Sequence, residues 1–400
     1  MKMLFVAPRL HTNQVPIMKG LCDSGIEVCF YAYYKGATED YSVIKPIIIR
    51  KSWLCKLLDW NIKRKNSPAD AETKMIRWFL PSIPYMMKAL REERPDLVIL
   101  RERSKANAVI SMLCRLVGIK NVIIYNQTPC AVSYSGFKNW IFPKVRYTPV
   151  LYSNCPKLAE DETLTWNCAP HTYVLPFVYA SGVKEHKRLT DIDRVVRILD
   201  VGKYRDYKNH YIVADAASIL KARGRDDFHI NVVGQVSNTS EEQYFAELDT
   251  YIQEKGLSEY MQLHKNIPYR EMDNLYIQHD MLVLPSKREV AGMVVLESMA
   301  NGLCTISTDA NGTAAYVLLA NGGSVFDHTS AEDLADKIEM YLDDPERMQD
   351  AGKSGKRFMA ENCSFEAFLR GLNVLCVKEF GFSVTDRVRN GREIAGADND

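Results

Sequence analysis

Two carboxylates flank a glycine in KREVAGMVVLESMANG, residues 287–302: Glu289 and Glu297, with Gly292 between them. One apolar run, DMLVLPS (280–286), precedes the stretch, and another, LCTIS (303–307), follows it. The first reads as a buried strand, and VVLESMA as a helix with Val294, Val295 and Met299 on its inner face. The helix then starts near Gly292 and Met293. Its first N–H groups lack intrahelical partners and carry the positive end of the dipole, so they can hold a phosphate. Gly292 has no Cβ to keep such an anion away. Glu297 lies about five residues into the helix, roughly 7–8 Å along its axis. A carboxylate only accepts hydrogen bonds and suits pairs of hydroxyls. The spacing therefore fits a molecule built as sugar, diphosphate and ribose. Glu289 would hold sugar hydroxyls and Glu297 the ribose diol.

Such a site needs strands and helices to carry it, and the chain alternates them. Strands are expected at 3–7, 27–33, 43–49, 96–100, 121–125 and 172–176 in the first half, with helix-like stretches at 70–93 and 104–117. The second half repeats the pattern, with strands at 196–202, 228–234, 261–264, 281–286, 303–307 and 323–326. Helices are expected there at 208–223, 241–256, 270–278, 292–301, 331–343, 345–360 and 364–380. Alternation of this kind indicates parallel sheets covered on both faces. The polar stretch YASGVKEHKRLTDID (179–193) is the best linker. The expectation is an α/β protein of two doubly wound, Rossmann-like domains, residues 1–180 and 190–363, facing across a ligand cleft at their strand ends. The helix over about 364–380 could pack back on the first domain. The tail 381–400 has little to bury.

With 46% hydrophobic residues in 400, two cores are affordable. No apolar run approaches the ~18 residues that span a bilayer. MKMLFVAPRL reads as a strand rather than a secretory signal. The ten cysteines form no CxxC pair, so they are expected as reduced, small core residues of a cytoplasmic protein. Net charge of +1 hides an asymmetry. Residues 1–190 hold 28 Lys+Arg against 15 Asp+Glu, and residues 191–400 hold 23 against 35. A basic half suggests an anionic partner. Nucleic acid is disfavoured, because no finger motif or aromatic-plus-basic repeat accompanies the charge.

Glu289, Gly292, Met293 and Glu297, followed by SMANG, resemble the E-x7-E segment of retaining GT-B glycosyltransferases, in particular glycosyltransferase family 4. The resemblance extends over the second half. ILDVGKYRDYKNH (198–210) looks like the family's G-R-x4-K stretch, with Gly202 opening the loop, Lys203 where arginine is usual, and Lys208 as the lysine. Lysine keeps the charge but loses the bidentate grip. FHINVVGQV (228–236) is similar to a further donor-side loop. HKNIPYREMDNLYIQHDMLVLPS (264–286) looks like the base-contacting region, which implies Asn266 and Ile267 beside the nucleobase. STDANGTAAYV (307–317) carries Asn311-Gly312 where two glycines are usual, and alanine in place of a glutamate.

The resemblance implies a GT-B fold and a retaining transfer from a UDP- or GDP-sugar, with no cofactor and no dedicated metal site. Glu289, Lys203 and Lys208 would serve catalysis. The leaving diphosphate would be stabilised by the two lysines and the amides near Gly292 and Met293. The acceptor hydroxyl would attack from the face that the leaving group departs from, with a phosphate oxygen taking the proton. The acceptor would be a saccharide or a lipid-linked sugar, as in surface polysaccharide assembly. A soluble acceptor, a nucleotide-sugar epimerase and a non-catalytic relative remain alternatives.

The acceptor side is less regular. His11, Thr12 and Asn13 stand in PRLHTNQVPI, where the family often has glycines, and Asn126 and Gln127 stand where it often has histidine. An amide can still bond a sugar hydroxyl. Arg101, Glu102 and Arg103 end a strand, either facing the ligand or closing a surface turn. Residues 45–65, KPIIIRKSWLCKLLDWNIKRK, hold seven Lys+Arg and one Asp around Trp53, Leu54, Leu57, Leu58 and Trp60. Such a stretch can lie on an anionic membrane or pack its stripe on the core. The first reading makes the protein peripheral at the cytoplasmic membrane face.

Overall fold

The computed structural model describes residues 1–35, 41–65, 78–101, 104–126, 150–152, 171–175, 177–179, 195–268, 271–289 and 291–386. The chain divides into two compact units. The first comprises Met1–Ser153, Asn167–Val178 and Phe365–Asp400, and the second Asn154–Trp166 with Tyr179–Ser364.

The first unit is built on strands β1 (Lys2–Ala7), β2 (Glu27–Ala32), β3 (Ile47–Ile48), β4 (Leu97–Arg101), β5 (Val122–Asn126), β6 (Val150–Tyr152) and β7 (Thr172–Val174). They form one sheet in the order β3-β2-β1-β4-β5-β6-β7, every pair parallel. Its helices are α1 (Val15–Asp23), α2 (Trp53–Lys65), α3 (Ile83–Glu93), α4 (Lys105–Leu116) and α12 (Phe365–Phe380). Alternating side chains of β1 feed two cores. Met3 and Phe5 pack with α1 and α12 on one face, and Leu4 and Val6 with α3 and α4 on the other. The last helix of the chain thus belongs to the first unit, through Phe368, Leu372, Leu375 and Cys376.

The second unit holds β8 (Val196–Val201), β9 (Phe228–Gly234), β10 (Met261–Lys265), β11 (Met281–Leu284), β12 (Cys304–Thr308) and β13 (Gly323–Phe326). Their order is β10-β9-β8-β11-β12-β13, again all parallel. Helices α5 (His210–Ala222), α6 (Thr239–Glu254), α7 (Met272–Ile277), α8 (Met293–Asn301), α9 (Ala314–Leu319), α10 (Ala331–Asp343) and α11 (Pro345–Asn362) cover it. Several starts are set by local chemistry. The side chains of Asn238, Ser330 and Asp344 accept the N–H three residues on, and Pro345 fixes the first turn of α11.

Both sheets reverse their winding at one place, between β1 and β4 and between β8 and β11. A ligand binds outside the carboxyl ends of the strands at such a switch point. The loops that follow β8 and β11 carry the lysine stretch and Glu289. The loops that follow β1 and β4 carry His11, Asn13 and Arg101.

Some expectations need correction. The strand expected over 43–49 shrinks to Ile47–Ile48, because Pro46 lacks the N–H a ladder needs. Of the helical stretch 70–93, residues 70–77 lie outside the described residues; residues 78–82 are not helical, the helix runs from Ile83, and Lys51 pairs with Pro81 in an isolated antiparallel bridge. The tail is not uniformly idle: Val384 is fully buried, and the Val384 N–H donates to Asn373 Oδ1 at 2.7 Å. The linker 180–192 lies outside the described residues. Among the described residues, five of seven cysteines are buried and none of the seven is in a disulfide.

Candidate functional site

Glu289 sits in the loop between β11 and α8, held as a strand-like bridge to Asn311. Its N–H donates to Ala310 O at 3.1 Å, and its carbonyl accepts Gly312 N–H at 3.0 Å. The Asn311-Gly312 turn therefore fixes the backbone of Glu289. The carboxylate accepts a short hydrogen bond from Lys208 Nζ, which comes from the loop after β8. The side chains of this pair are 13% and 19% exposed, so the contact is shielded but open to exchange with a ligand. Two loops that are 81 residues apart in sequence, one on each side of the switch point, thus meet through opposite charges.

Lys203 lies in the same loop, half-buried, and its ammonium takes no partner among the described residues. Its carbonyl is held from below by His210 Nε2 at 3.2 Å. His210 Nδ1 contacts Asp200 Oδ2 at 2.6 Å, and both of these side chains are fully buried. This Asp200–His210 support fixes the loop from beneath. The sequence gives no local hint of it, because Asp200 ends a strand and His210 begins a helix. Gly234, which ends β9, is required by close approach: a Cβ there would lie 2.3 Å from the carbonyl oxygen of Gly202.

Glu297 occupies a different environment. It is half-buried on α8, and Tyr276 of α7 donates to its Oε2 at 2.7 Å. Burial pushes its carboxyl above the usual value, and the Tyr276 hydrogen bond opposes that shift. Tyr276 is fully buried among Leu199, Val233, Leu282 and Leu303, with Ile267 packed against the same cluster.

The helix start differs from expectation. Gly292 N–H donates to Asn311 Oδ1 at 3.2 Å, and Met293 N–H donates to Ala291 O at 3.0 Å. A Cβ on Gly292 would meet Leu284 Cδ2 at 2.6 Å and the Asn311 carboxamide at 3.0 Å. Glycine is needed here to pack against the protein itself, and both amides are engaged by protein oxygens. They are not an open anion cradle. Asn266 is exposed and left-handed at φ 61°, and its Oδ1 is engaged by the protein, accepting Val236 N–H at 2.9 Å. It braces the loops after β9 and β10, while Ile267 is half-buried beside it.

In the first unit, His11, Asn13 and Arg101 come together around Gln14, a residue that sequence reasoning missed. Gln14 Oε1 accepts Arg101 Nη1 at 2.9 Å and His11 N–H at 3.2 Å. Asn13 N–H reaches His11 Nδ1 at 3.5 Å. Arg101 is 7% exposed, and Asn13 Oδ1 is buried with no partner among the described residues. Gln127, Glu102 and Arg103 lie outside the described residues. On α2, the two earlier options separate. Trp53 and Trp60 are 73% and 64% exposed, while Cys55 and Asp59 face inward, Asp59 bonded to Lys51. The tryptophans therefore do not pack on the core. Ile47, Ile48, Leu54 and Leu57 are exposed as well. No helix among the described residues is long and apolar enough to cross a membrane.

Among the described residues, one group has ligand atoms close enough for a metal ion: Asp309, Asp327 and His328. Both carboxylates are exposed, and His328 Nδ1 contacts Asp309 Oδ1 at 2.8 Å. These contacts leave the group internally satisfied.

Residues 184–358 match the family model described as Glycosyl transferases group 1. A D-inositol 3-phosphate glycosyltransferase from Arthrobacter sp. (strain FB24) is 26% identical over 158 residues, 39% of this chain and 37% of the relative. The chain thus spans just over a third of that relative's length. A glycosyltransferase structure from Rickettsia africae ESF-5 superposes with a TM-score of 0.70 at 15% identity, over 94% of this chain and 97% of the other. The Anabaena protein HepE, in complex with UDP-glucose, gives 0.61 at 13% identity, over 92% and 96%. The fold is GT-B, with two Rossmann-like α/β domains, and residues 184–358 of its second half are similar to a glycosyl transferases group 1 domain.

Proposed function

We propose that the protein is a retaining glycosyltransferase of family 4 type, moving a sugar from a UDP- or GDP-sugar to a saccharide or lipid-linked acceptor without a metal. The observation that carries this reading is the Lys208–Glu289 pair, which joins the two loops flanking the β8/β11 switch point. A diphosphate entering there exchanges with Glu289 for the ammonium of Lys208. Lys203 supplies the second cation. Glu289, released, turns to the sugar hydroxyls. Glu297, held by Tyr276, accepts from the ribose diol.

In this scheme charge develops on the leaving diphosphate as the glycosidic C–O bond breaks. The two lysines stabilise it in a partly dry site, where electrostatic contacts are strong. The acceptor hydroxyl attacks the oxocarbenium-like carbon from the departing face, and a phosphate oxygen takes its proton. No side-chain base is required. His11, Asn13 and Arg101 are the acceptor-side residues of this reading. The UDP-glucose complex of HepE favours testing uridine donors first.

A lipid-linked acceptor at an anionic membrane is the preferred form. It is supported by the exposed Trp53, Leu57 and Trp60 on α2, with Lys56 and Arg64 on the same helix. Flotation with neutral and anionic vesicles tests it. Binding to anionic vesicles that falls in a Trp53→Ser, Trp60→Ser double variant supports it, and equal recovery on both vesicle types counts against it.

A donor panel tests the central reading. Saturating nucleotide at ~100 times Kd stabilises the folded protein by about 2.7 kcal/mol, so UDP, GDP and their sugars should raise the melting temperature measurably. The absence of any shift across the panel would defeat the reading.

A further inference from the structure

The second unit has a pocket of about 470 Å³ in which Arg197, His229, Asn231, Gln262, His264 and His279 are joined by the apolar Val195, Ile267 and Leu275. It lies on the face of the sheet opposite α5 and α6, where β8, β9 and β10 run beside the short α7. A parallel sheet normally carries apolar side chains on both faces. Here Ile198, Ile230 and Val232 obey that rule on one face. The opposite face at the same strands shows Arg197, His229, Asn231, Gln262 and His264 instead. Six-residue α7 covers Leu199 and Val233 but leaves this corner open.

The polar groups form an ordered relay. Leu275 O takes the N–H of His279 Nδ1 at 2.7 Å, which leaves Nε2 to accept from Asn231 Nδ2 at 3.0 Å. Asn231 Oδ1 then accepts from His264 Nε2 at 2.9 Å. The relay orients three side chains and leaves two groups over: the Arg197 guanidinium and the His229 ring take no hydrogen bond among the described residues. Elsewhere in the unit Arg205, Arg223 and Arg225 are all matched to carboxylates. Arg197 is not, in a half of the chain that carries 35 acidic residues against 23 basic. Its own backbone N–H is bonded to Asp280 Oδ2 at 3.0 Å.

We propose that this pocket is a binding site for a small oxyanion, a phosphate or a carboxylate, held by Arg197 and His229 with the carboxamide of Gln262 at its edge. An arginine beside imidazoles repels a metal cation and attracts an anion. The pocket shares Ile267 with the expected donor region, but Arg197 and His229 stand near the amino ends of β8 and β9, so the anion site does not depend on the transferase reading.

Proton linkage gives it a signature. Burial, then the charge of Arg197 and the nearby His264, hold the His229 ring below its ordinary value. Burial also lowers His279, with the Leu275 carbonyl and Asp280 opposing it and Arg197 and His229 adding to it. An anion beside His229 reverses the charge balance, so binding takes up a proton and tightens as pH falls.

The test is a ring-selective NMR titration of the eight histidines in the full chain, with inorganic phosphate and, separately, acetate at constant ionic strength. The expected result is a saturable shift of the His229 signal, with affinity ~10-fold tighter at about pH 6 than at about pH 8. Arg197→Gln should weaken binding by ~10-fold or more, and His229→Gln should flatten the pH dependence. Phosphate alone acting assigns a phosphate site; both anions acting assigns a general oxyanion site. No saturation with either, or an unchanged titration in Arg197→Gln, overturns the proposal. Arg197 is exposed, so its variant tests binding rather than folding.

Discussion

Glu289 and Glu297 are the same residue type at the two ends of one short segment, yet they occupy opposite electrostatic environments. Glu289 faces a lysine across a loop boundary and is neutralised by it. Glu297 faces a tyrosine hydroxyl, with burial and the nearby Asp273 raising its pKa. A paired carboxylate is stable where it stands and can be drawn away only by a competitor for its cation. A carboxylate without a counter-charge is destabilised by its site and gains when a polyhydroxy ligand supplies hydrogen bonds. The first arrangement makes a switch, and the second makes a socket waiting to be filled.

Removing the switch should have the largest effect, and a split one. Glu289→Gln should reduce turnover by ~10³-fold, the scale seen when a group acting in the transition state is lost. The same substitution frees Lys208, so UDP or GDP alone should bind a few-fold tighter, about 2- to 10-fold. Kinetics and calorimetry on one variant check both halves. Weaker nucleotide binding in Glu289→Gln would show that the pair does not compete with the ligand. Lys208→Met comes next. It should lower turnover by ~10²-fold and weaken nucleotide binding together, since it removes a cation that serves ground and transition states alike.

Glu297→Gln probes the socket. Nucleotide affinity should fall ~10-fold, because a carboxamide accepts less strongly from the ribose diol. Stability should move the other way. A carboxyl whose folded pKa is raised costs stability once it ionises, above its unfolded pKa, and that cost disappears when pH falls and the group is protonated in both states. The neutral variant should therefore melt higher than wild type near neutral pH, and the difference should shrink in acid. A scan of melting temperature against pH for both proteins checks the sign. A variant that melts lower at neutral pH would mean that the Tyr276 hydrogen bond outweighs the desolvation.

The sequence's alternation of apolar runs was enough to read both sheets, because each buried parallel strand is a contiguous hydrophobic word. It failed where the word is too short. Val150–Tyr152 adds a strand with only three residues, and α1 hides behind Pro16 and Gly20. At the site, residue types were legible and partnerships were not. Lys208 and Glu289 both stood out as charges after strands, but nothing local says that they touch. Gln14 joins Arg101 across 87 residues, and Tyr276 finds Glu297 across 21. Asn311 was the most instructive miss. Its carboxamide caps Gly292, so a helix start that looks available in sequence is already satisfied by a side chain 19 residues downstream. Long-range hydrogen bonds follow from topology, and local spacing carries no trace of them.

The smallest effect should come from Tyr276→Phe, which leaves the apolar packing of the ring in place and deletes one hydroxyl. Glu297 then loses the hydrogen bond that favours its charged form, so its pKa should rise further. The ribose grip should weaken ~2- to 5-fold, since a single orienting hydrogen bond is lost. In mild acid the loss should grow, because a larger share of Glu297 is protonated and can no longer accept two hydrogen bonds. Nucleotide affinity against pH, measured for wild type and variant, should therefore give curves that diverge toward low pH. Parallel curves would mean that Tyr276 holds the ring cluster together without setting the charge of Glu297, and the distinction between the two carboxylates would then rest on Lys208 alone.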